Sequence, residues 1–229
     1  TLFTNYRVID AKTKDNCIHS LIAKHTESGK ELRFKASLFA DCTGDGNIGF
    51  LAGADFTTGR ENKSEYNENS APEKADNLTM GGSVQWYSEE EDTISSFPAF
   101  SYGLPFNEKS AEKVVMGEWT WETGMNLNQI DDYERIRDYG LMVVYSNWSF
   151  LKNQYSKSAN FSKRKLSWVS YISGKRESRR ILGDVILKSK ILSNKILMKM
   201  PRSQLHGVLT FIIPIQTTVF ISRIWNSNR

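Results

Sequence analysis

This chain of 229 residues has few groups that could hold a metal or form a cross-link. It contains two cysteines, Cys17 and Cys42, and three histidines, His19, His25 and His206. That supply excludes a disulfide scaffold and a cysteine-built zinc centre, and it leaves little for a histidine cluster, so no metal site is expected. No uninterrupted apolar run reaches the length of about 18 residues that a spanning helix requires, so no membrane segment is expected. The chain opens on Thr1 without a basic stretch leading into an apolar core. No secretory signal is visible, and the compartment, cytoplasmic or periplasmic, stays open. One further absence is local: from Lys188 to Arg229 there is no Asp or Glu.

That last gap reassigns the charge. The formal net charge of +4 would ordinarily suggest an acidic partner such as nucleic acid. Yet the acid-free tail holds seven cations: Lys188, Lys190, Lys195, Lys199, Arg202, Arg223 and Arg229. Without those seven, the 30 basic residues fall to 23 against 26 acidic ones, so the body of the chain stands at −3. Nucleic acid is therefore not an expected partner. With 24% charged and 12% aromatic residues, that body has the composition of a folded globular protein.

The first forty residues alternate as strands do. Leu2, Thr4, Tyr6 and Val8 share one side of a run ending at Asp10, Cys17 to His25 forms a second run, and Glu31 to Ala36 a third. Thr26-Glu27-Ser28-Gly29 is a polar turn in which Gly29 supplies a positive φ. An antiparallel three-stranded meander is expected. Ser37 to Cys42 is short and largely apolar, as expected of a strand buried on both faces. It leads into Thr43-Gly44-Asp45-Gly46, with Ile48, Leu51, Ala52 and Ala54 following at helical spacing. Strand, glycine turn and helix can present backbone N–H groups and a helix N-terminus to a phosphate or ribose, with Asp45 accepting from a sugar hydroxyl. An ordinary capped turn explains the same residues.

Residues 59–79 are polar and aperiodic and read as an exposed or mobile connection between two lobes. Met80 to Tyr87 can form a strand after a glycine pair, and 97–106 is a loop punctuated by Pro and Gly. In Gly117 to Gly124, aromatic and acidic residues alternate. As a strand this run places Trp119 and Trp121 on one face and Glu118, Thr120 and Glu122 on the other. It is either core packing with a solvated acidic face or a pocket wall whose carboxylates meet a polar substrate. Asp131 to Asn153 is the clearest helix, with Tyr133, Ile136, Met142, Val143, Trp148 and Leu151 on its apolar side and Asp131 and Asp132 at its N-terminus. Gly174 to Asp184 carries four cations and two acids. Arg176 and Arg179, three apart, share a face if helical, and with Arg180 they offer guanidinium forks for carboxylate or phosphate; Gly183-Asp184 offers a turn beside such a group. A solvated helical turn is the alternative. No Ser-His-Asp or Cys-His arrangement and no Walker loop is present.

Taken together, Asp41-Cys42-Thr43-Gly44-Asp45-Gly46, Leu51-Ala52-Gly53-Ala54 and Gly59-Arg60-Glu61 resemble the FAD-dependent oxidoreductases of the glutathione-reductase-like flavoprotein fold. Residues 117–124 and 174–184 resemble two further motifs of a bacterial subgroup. The resemblance covers about residues 1–187 and implies an α/β fold: the end of a Rossmann-like FAD-binding domain with its meander (1–60), then part of a substrate-side domain (61–187) that returns to the flavin at 174–184. It implies FAD as cofactor, held by Thr43, Gly44, Asp45, Gly46, Gly183 and Asp184. Glu118, Trp119, Trp121 and Glu122 would line the substrate pocket. Arg176 or Arg179 would stabilise negative charge on reduced flavin or hold an anionic substrate. The implied activity is hydride or electron transfer on a small molecule; a non-catalytic binding or structural module of the same fold is the alternative.

Two departures from the family carry expectations of their own. Its Gly-x-Gly-x-x-Gly fingerprint is expected upstream of Thr1, so the chain reads as an N-terminally incomplete fragment with weakened hold on FAD. The resemblance also stops near Lys188, where the family continues with an acidic segment and then Thr-Thr-Trp-Ser-Ile-Asp-Leu-His-Tyr-Pro-Asp-Pro. Codons permitted by Gln204 to Gln216, read in an offset frame, spell that peptide. Residues 188–229 are therefore expected to be an out-of-frame translation forming no domain; a basic amphipathic tail or a divergent C-terminus are the alternatives.

Overall fold

The structure, a computed structural model, describes residues 1–119, 121–183 and 186. The expectations for Asp184 and for the tail 188–229 lie outside the described residues. Helices and antiparallel sheets alternate along the chain, and they gather into two compact units. One is Thr1–Asn77 rejoined by the chain from Glu177; the other is Leu78–Arg176.

The first unit begins with the expected meander. Strands β1 (Tyr6–Lys14), β2 (Cys17–His25) and β3 (Glu31–Phe34) pair antiparallel in that order. Two turns set the register. Asp15 and Asn16 join β1 to β2 with φ of 51° and 56°, the double positive φ that matches the twist of a two-residue hairpin. Gly29, at φ 72°, closes the second hairpin, its N–H donating to the His25 carbonyl at 2.9 Å. The strand begins later and runs further than the alternation suggested, so Leu2 lies in solvent. The inner face is thin: Ala11 and Leu21 are buried with Ile48 of helix α1 (Asn47–Leu51), flanked by Val8, Ile18, Phe39, Leu51 and Ala52.

Residues 37–42 do not form the buried strand their composition suggests. They run in extended or bent conformation with one bridge position, Asp41, and Ser37, Leu38, Ala40 and Cys42 are exposed. An apolar run becomes a strand buried on both faces only where layers cover both sides; here the side chain that goes fully inside is the acid, Asp41. After α1 comes the short strand β4 (Phe56–Thr57). The polar segment that follows folds on itself. Arg60 and Asp76 form an isolated bridge and a paired guanidinium–carboxylate contact at 2.5 and 3.0 Å, and between them Asn62 caps helix α2 (Lys63–Tyr66) by accepting from the Glu65 N–H.

The second unit packs a three-stranded sheet, order β6-β5-β7, with one long helix. Its strands are β5 (Trp86–Glu90), β6 (Met116–Gly117) and β7 (Arg164–Val169), and its helix α3 is Tyr133–Asn153. Of the apolar face the spacing predicts for α3, Ile136, Val143, Trp148 and Leu151 are buried and Tyr133 and Met142 half-buried; Val144 joins the buried set, and Trp148 meets Trp86 edge to face at 5.5 Å. Gly140 is a packing requirement, since a Cβ there would stand 2.7 Å from Cγ2 of Val84. Asp131 and Asp132 stand at the N-terminus of α3 as expected. Asp132 is the cap residue but makes no side-chain capping bond, and Asn128 orders the turn instead, its Oδ1 accepting from the N–H groups of Ile130 and Asp131.

A second stripe of α3 is polar and buried, and it staples the loop that precedes it. Ser146 Oγ accepts from the Leu104 N–H at 2.9 Å; Asn147 bonds both the N–H and the C=O of Glu112; Ser149 Oγ donates to the Pro98 carbonyl; and Asn153 donates to that of Phe97. At the C-terminal end, Lys152 Nζ donates to the carbonyls of Phe161, Ser162 and Arg164, gathering the 3₁₀ turn Ser158–Phe161 and the start of β7. Among the described residues no helix is long and apolar enough to cross a membrane.

The chain re-enters the first unit as β8 (Arg180–Ile181), antiparallel to β4 with Phe56 opposite Ile181.

Candidate functional site

The Thr43-Gly44-Asp45-Gly46 turn is organised by a residue just before it. Asp41, 1% exposed, accepts four hydrogen bonds. Its Oδ1 takes the Thr43 N–H at 3.0 Å and the Thr43 hydroxyl at 2.6 Å, and its Oδ2 takes the N–H groups of Ile48 at 2.8 Å and Gly49 at 3.1 Å. The Thr43 hydroxyl in turn accepts from the Asn47 N–H at 3.0 Å. Between these anchors the chain turns through Gly44 at φ 82° and Gly46 at φ 60°, a conformation that side chains other than glycine rarely adopt. Gly46 also has no room for a side chain: a Cβ would lie 2.7 Å from Cγ1 of Ile181.

This corrects one expectation. The N-terminal N–H groups of α1, at Asn47, Ile48 and Gly49, are taken by Asp41 and Thr43, so the helix end is not offered to a phosphate. Asp45 is also engaged within the chain, its Oδ1 accepting from the buried Ser178 hydroxyl at 2.7 Å. That bond ties the glycine turn to residues 177–181, so the first and third sequence motifs meet in one unit.

The three arginines of the third motif part company. The stretch 175–179 is not helical, and the shared helix face expected of Arg176 and Arg179 does not form. Pairing at both ends accounts for this: Gly174 bridges Ser83, and Arg180 opens β8. Arg180 is structural, with partners in Glu177, Glu61 and, at 2.5 Å, the carbonyl of Gly59. Arg179 lies in the first unit, 4.0 Å above the Phe50 ring and 5.9 Å from that of Phe56, with Nη2 donating to Asn47 Oδ1 at 3.0 Å. Its Nε and Nη1 are buried and have no acceptor among the described residues. Gly183 is exposed, with nothing among the described residues within 4 Å of where a Cβ would stand.

Arg176 lies in the second unit. It pairs with Glu122 and rests 4.7 Å from the centre of the Trp119 ring, with its Nε buried and unpartnered among the described residues. Among the described residues of 117–124 the expected alternating strand is not formed. Strand pairing ends at Gly117, and Thr123 makes only an isolated bridge to Gly82. Each aromatic has its own partner instead: Trp119 carries Arg176, and Trp121 packs on Phe106 at 5.6 Å. Glu118 is exposed. The two motifs are joined through Gly82-Ser83, where Gly82 pairs with Thr123, Ser83 pairs with Gly174, and a Cβ on Gly82 would strike the Ser173 hydroxyl. Among the described residues no three His, Cys, Asp or Glu side chains converge as a metal site would require.

The chain belongs to the FAD dependent oxidoreductase family, whose model matches residues 1–197. The match makes this a flavoprotein of the oxidoreductase class with FAD as cofactor, and it runs ten residues past the point where the motif resemblance stops. No curated protein matches the chain, and no solved structure matches it either. The residues present suit such a group. The orphaned Arg179 N–H groups, close to the glycine turn through Asn47, call for an anionic or carbonyl acceptor. Asp41 was missed in the sequence; the signal was a lone acid inside the apolar run ahead of the glycines.

Proposed function

We propose that this chain transfers a hydride or electrons between FAD and a small-molecule substrate, within the glutathione-reductase-like branch and the bacterial subgroup that the three ordered motifs resemble. FAD supplies the redox chemistry when bound; the chain binds, orients and neutralises charge. In this reading Thr43, Gly44, Asp45, Gly46 and Gly183 lie against the dinucleotide, and Arg179 is the cation that holds an anionic or carbonyl acceptor there. Arg176, Glu122, Trp119 and Trp121 belong to the substrate side, where the Trp119 ring and Glu122 hold the Arg176 guanidinium in a fixed plane. Glu118 completes that group as a solvent-facing carboxylate.

The observation that carries the proposal is the contrast among the arginines. Arg180 is satisfied by Glu177, Glu61 and Gly59, whereas Arg179, beside the glycine turn, keeps two buried N–H groups without an acceptor among the described residues. A buried unsatisfied donor costs about 1–3 kcal/mol, so an arginine held in this way fits a position completed by a ligand. Titrating the purified chain with FAD while following flavin absorbance and fluorescence tests the reading. Arg179→Ala is expected to weaken FAD binding by about tenfold or more, the effect of losing a charge-assisted bond. Unchanged affinity in that variant, with a folded protein, would remove Arg179 from the site.

A further inference from the structure

We infer that Asp41 is a positioning residue for the cofactor, one that shapes the glycine turn without touching the bound group. The inference rests on the reading that Thr43–Gly46 lies against FAD. A carboxylate buried to 1% exposure is costly unless fully bonded, and Asp41 meets that condition entirely from its own neighbourhood. Two bonds come from Thr43 at the start of the turn and two from Ile48 and Gly49 just beyond its end. One side chain therefore clamps the entry and exit of Gly44-Asp45-Gly46, and Thr43 adds a strut by accepting from Asn47.

The clamp has three consequences. It fixes the path along which Gly44 and Gly46 adopt their positive φ values. It consumes the helix-end donors that would otherwise draw an anion towards α1, leaving the turn itself as the surface that meets the ligand. It also places Asn47, whose Oδ1 accepts from Arg179, and Asp45, whose carboxylate holds Ser178. Loss of the clamp would thus disturb the turn and the Arg179 guanidinium together, although Asp41 contacts neither Arg179 nor Ser178.

Asp41→Asn tests this with little change in volume, since an amide accepts at one oxygen but cannot accept at its nitrogen. In the variant without FAD, the amide protons of Ile48 and Gly49 are expected to exchange faster, while those of β1 and β2 keep their wild-type rates. FAD affinity is expected to fall about 10- to 100-fold, the range for breaking buried bonds to a charged group. Thr43→Val removes the strut and one of the clamp's four bonds, the backbone N–H bond remaining, and should act in the same direction; Thr43→Ser, which keeps the hydroxyl, should restore binding. That rescue also covers the case in which Asp41→Asn fails to fold. Gly44→Val separates the two layers of the argument. If it binds FAD normally, the placement of the turn against the cofactor is wrong. If it abolishes binding while Asp41→Asn and Thr43→Val bind as wild type, the positioning role is overturned.

Discussion

Lys152 shows how one side chain can be functional for the fold and invisible in composition. Its ammonium donates to the Phe161, Ser162 and Arg164 carbonyls at 2.8, 3.1 and 2.7 Å, and it sits 6.0 Å from the Trp148 ring. Burial holds its pKa below the usual 10.5, with the more distant charge of Glu91 opposing the shift. The direction fixes the sign of a pH effect. Between the lowered folded value and 10.5 the unfolded chain binds more protons, so Lys152 makes stability rise with pH across that window and contributes no slope below it. Urea unfolding of the wild type and of Lys152→Met along an alkaline pH series should differ by that slope. Parallel pH profiles would show that the ammonium is solvated after all. Asp41 is a second case, in which a single acid of the chain accepts the helix-end N–H groups that a bound phosphate was expected to accept.

At the scale of elements, the polar stripe of α3 makes a prediction that its apolar face does not. Asn147 is fully buried and bonds both backbone groups of Glu112, so Asn147→Ala leaves an N–H and a C=O without partners inside the protein. The expected cost is about 1–3 kcal/mol for each group left unpaired, read as a fall in the urea midpoint, with the 97–112 loop cleaved faster under limited proteolysis. A loss under about 0.5 kcal/mol, as for an ordinary surface change, would mean that water replaces the amide. The same helix shows what could be read in advance. Its apolar spacing, the meander's alternation and the turn at Gly29 are local signals, and local geometry follows from them. The run 117–124 alternates just as well, yet its pairing ends at Gly117, because Trp119 and Trp121 are claimed by Arg176 and Phe106, partners distant in sequence. The charge run at 174–184 reads as a helical turn, whereas Gly174 pairs with Ser83 and Arg180–Ile181 with β4. Within the candidate site, the glycine turn was legible from its residue types. The division of labour among Arg176, Arg179 and Arg180 was not, since it depends on which acceptors lie across the fold.

At the scale of the molecule, the two units differ in how they are held. In residues 78–176 the buried cluster contains Val84, Trp86, Val144, Trp148, Phe150, Leu151 and Phe161, with further aromatics around it. In the other unit the buried cluster is Ala11, Leu21 and Ile48. Hydrophobic stabilisation scales with apolar area removed from water, at roughly 25 cal/mol per Å², so the second core has far more to hold it. Regions with few buried apolar contacts open at lower free energy. Amide exchange should therefore be slowest in α3 and β5 and markedly faster across β1–β3, despite the regular ladder of that meander. The glycine turn and its arginine belong to the thinly held unit, where a ligand has the most to add, because binding stabilises whatever it binds by mass action. FAD at saturating concentration should accordingly slow exchange at Ile48, Gly49 and Ile181, and the gain should shrink in Arg179→Ala. If FAD instead protected only α3 and β5, the flavin would be held by residues 78–176, and the assignment of the turn to cofactor binding would have to be given up.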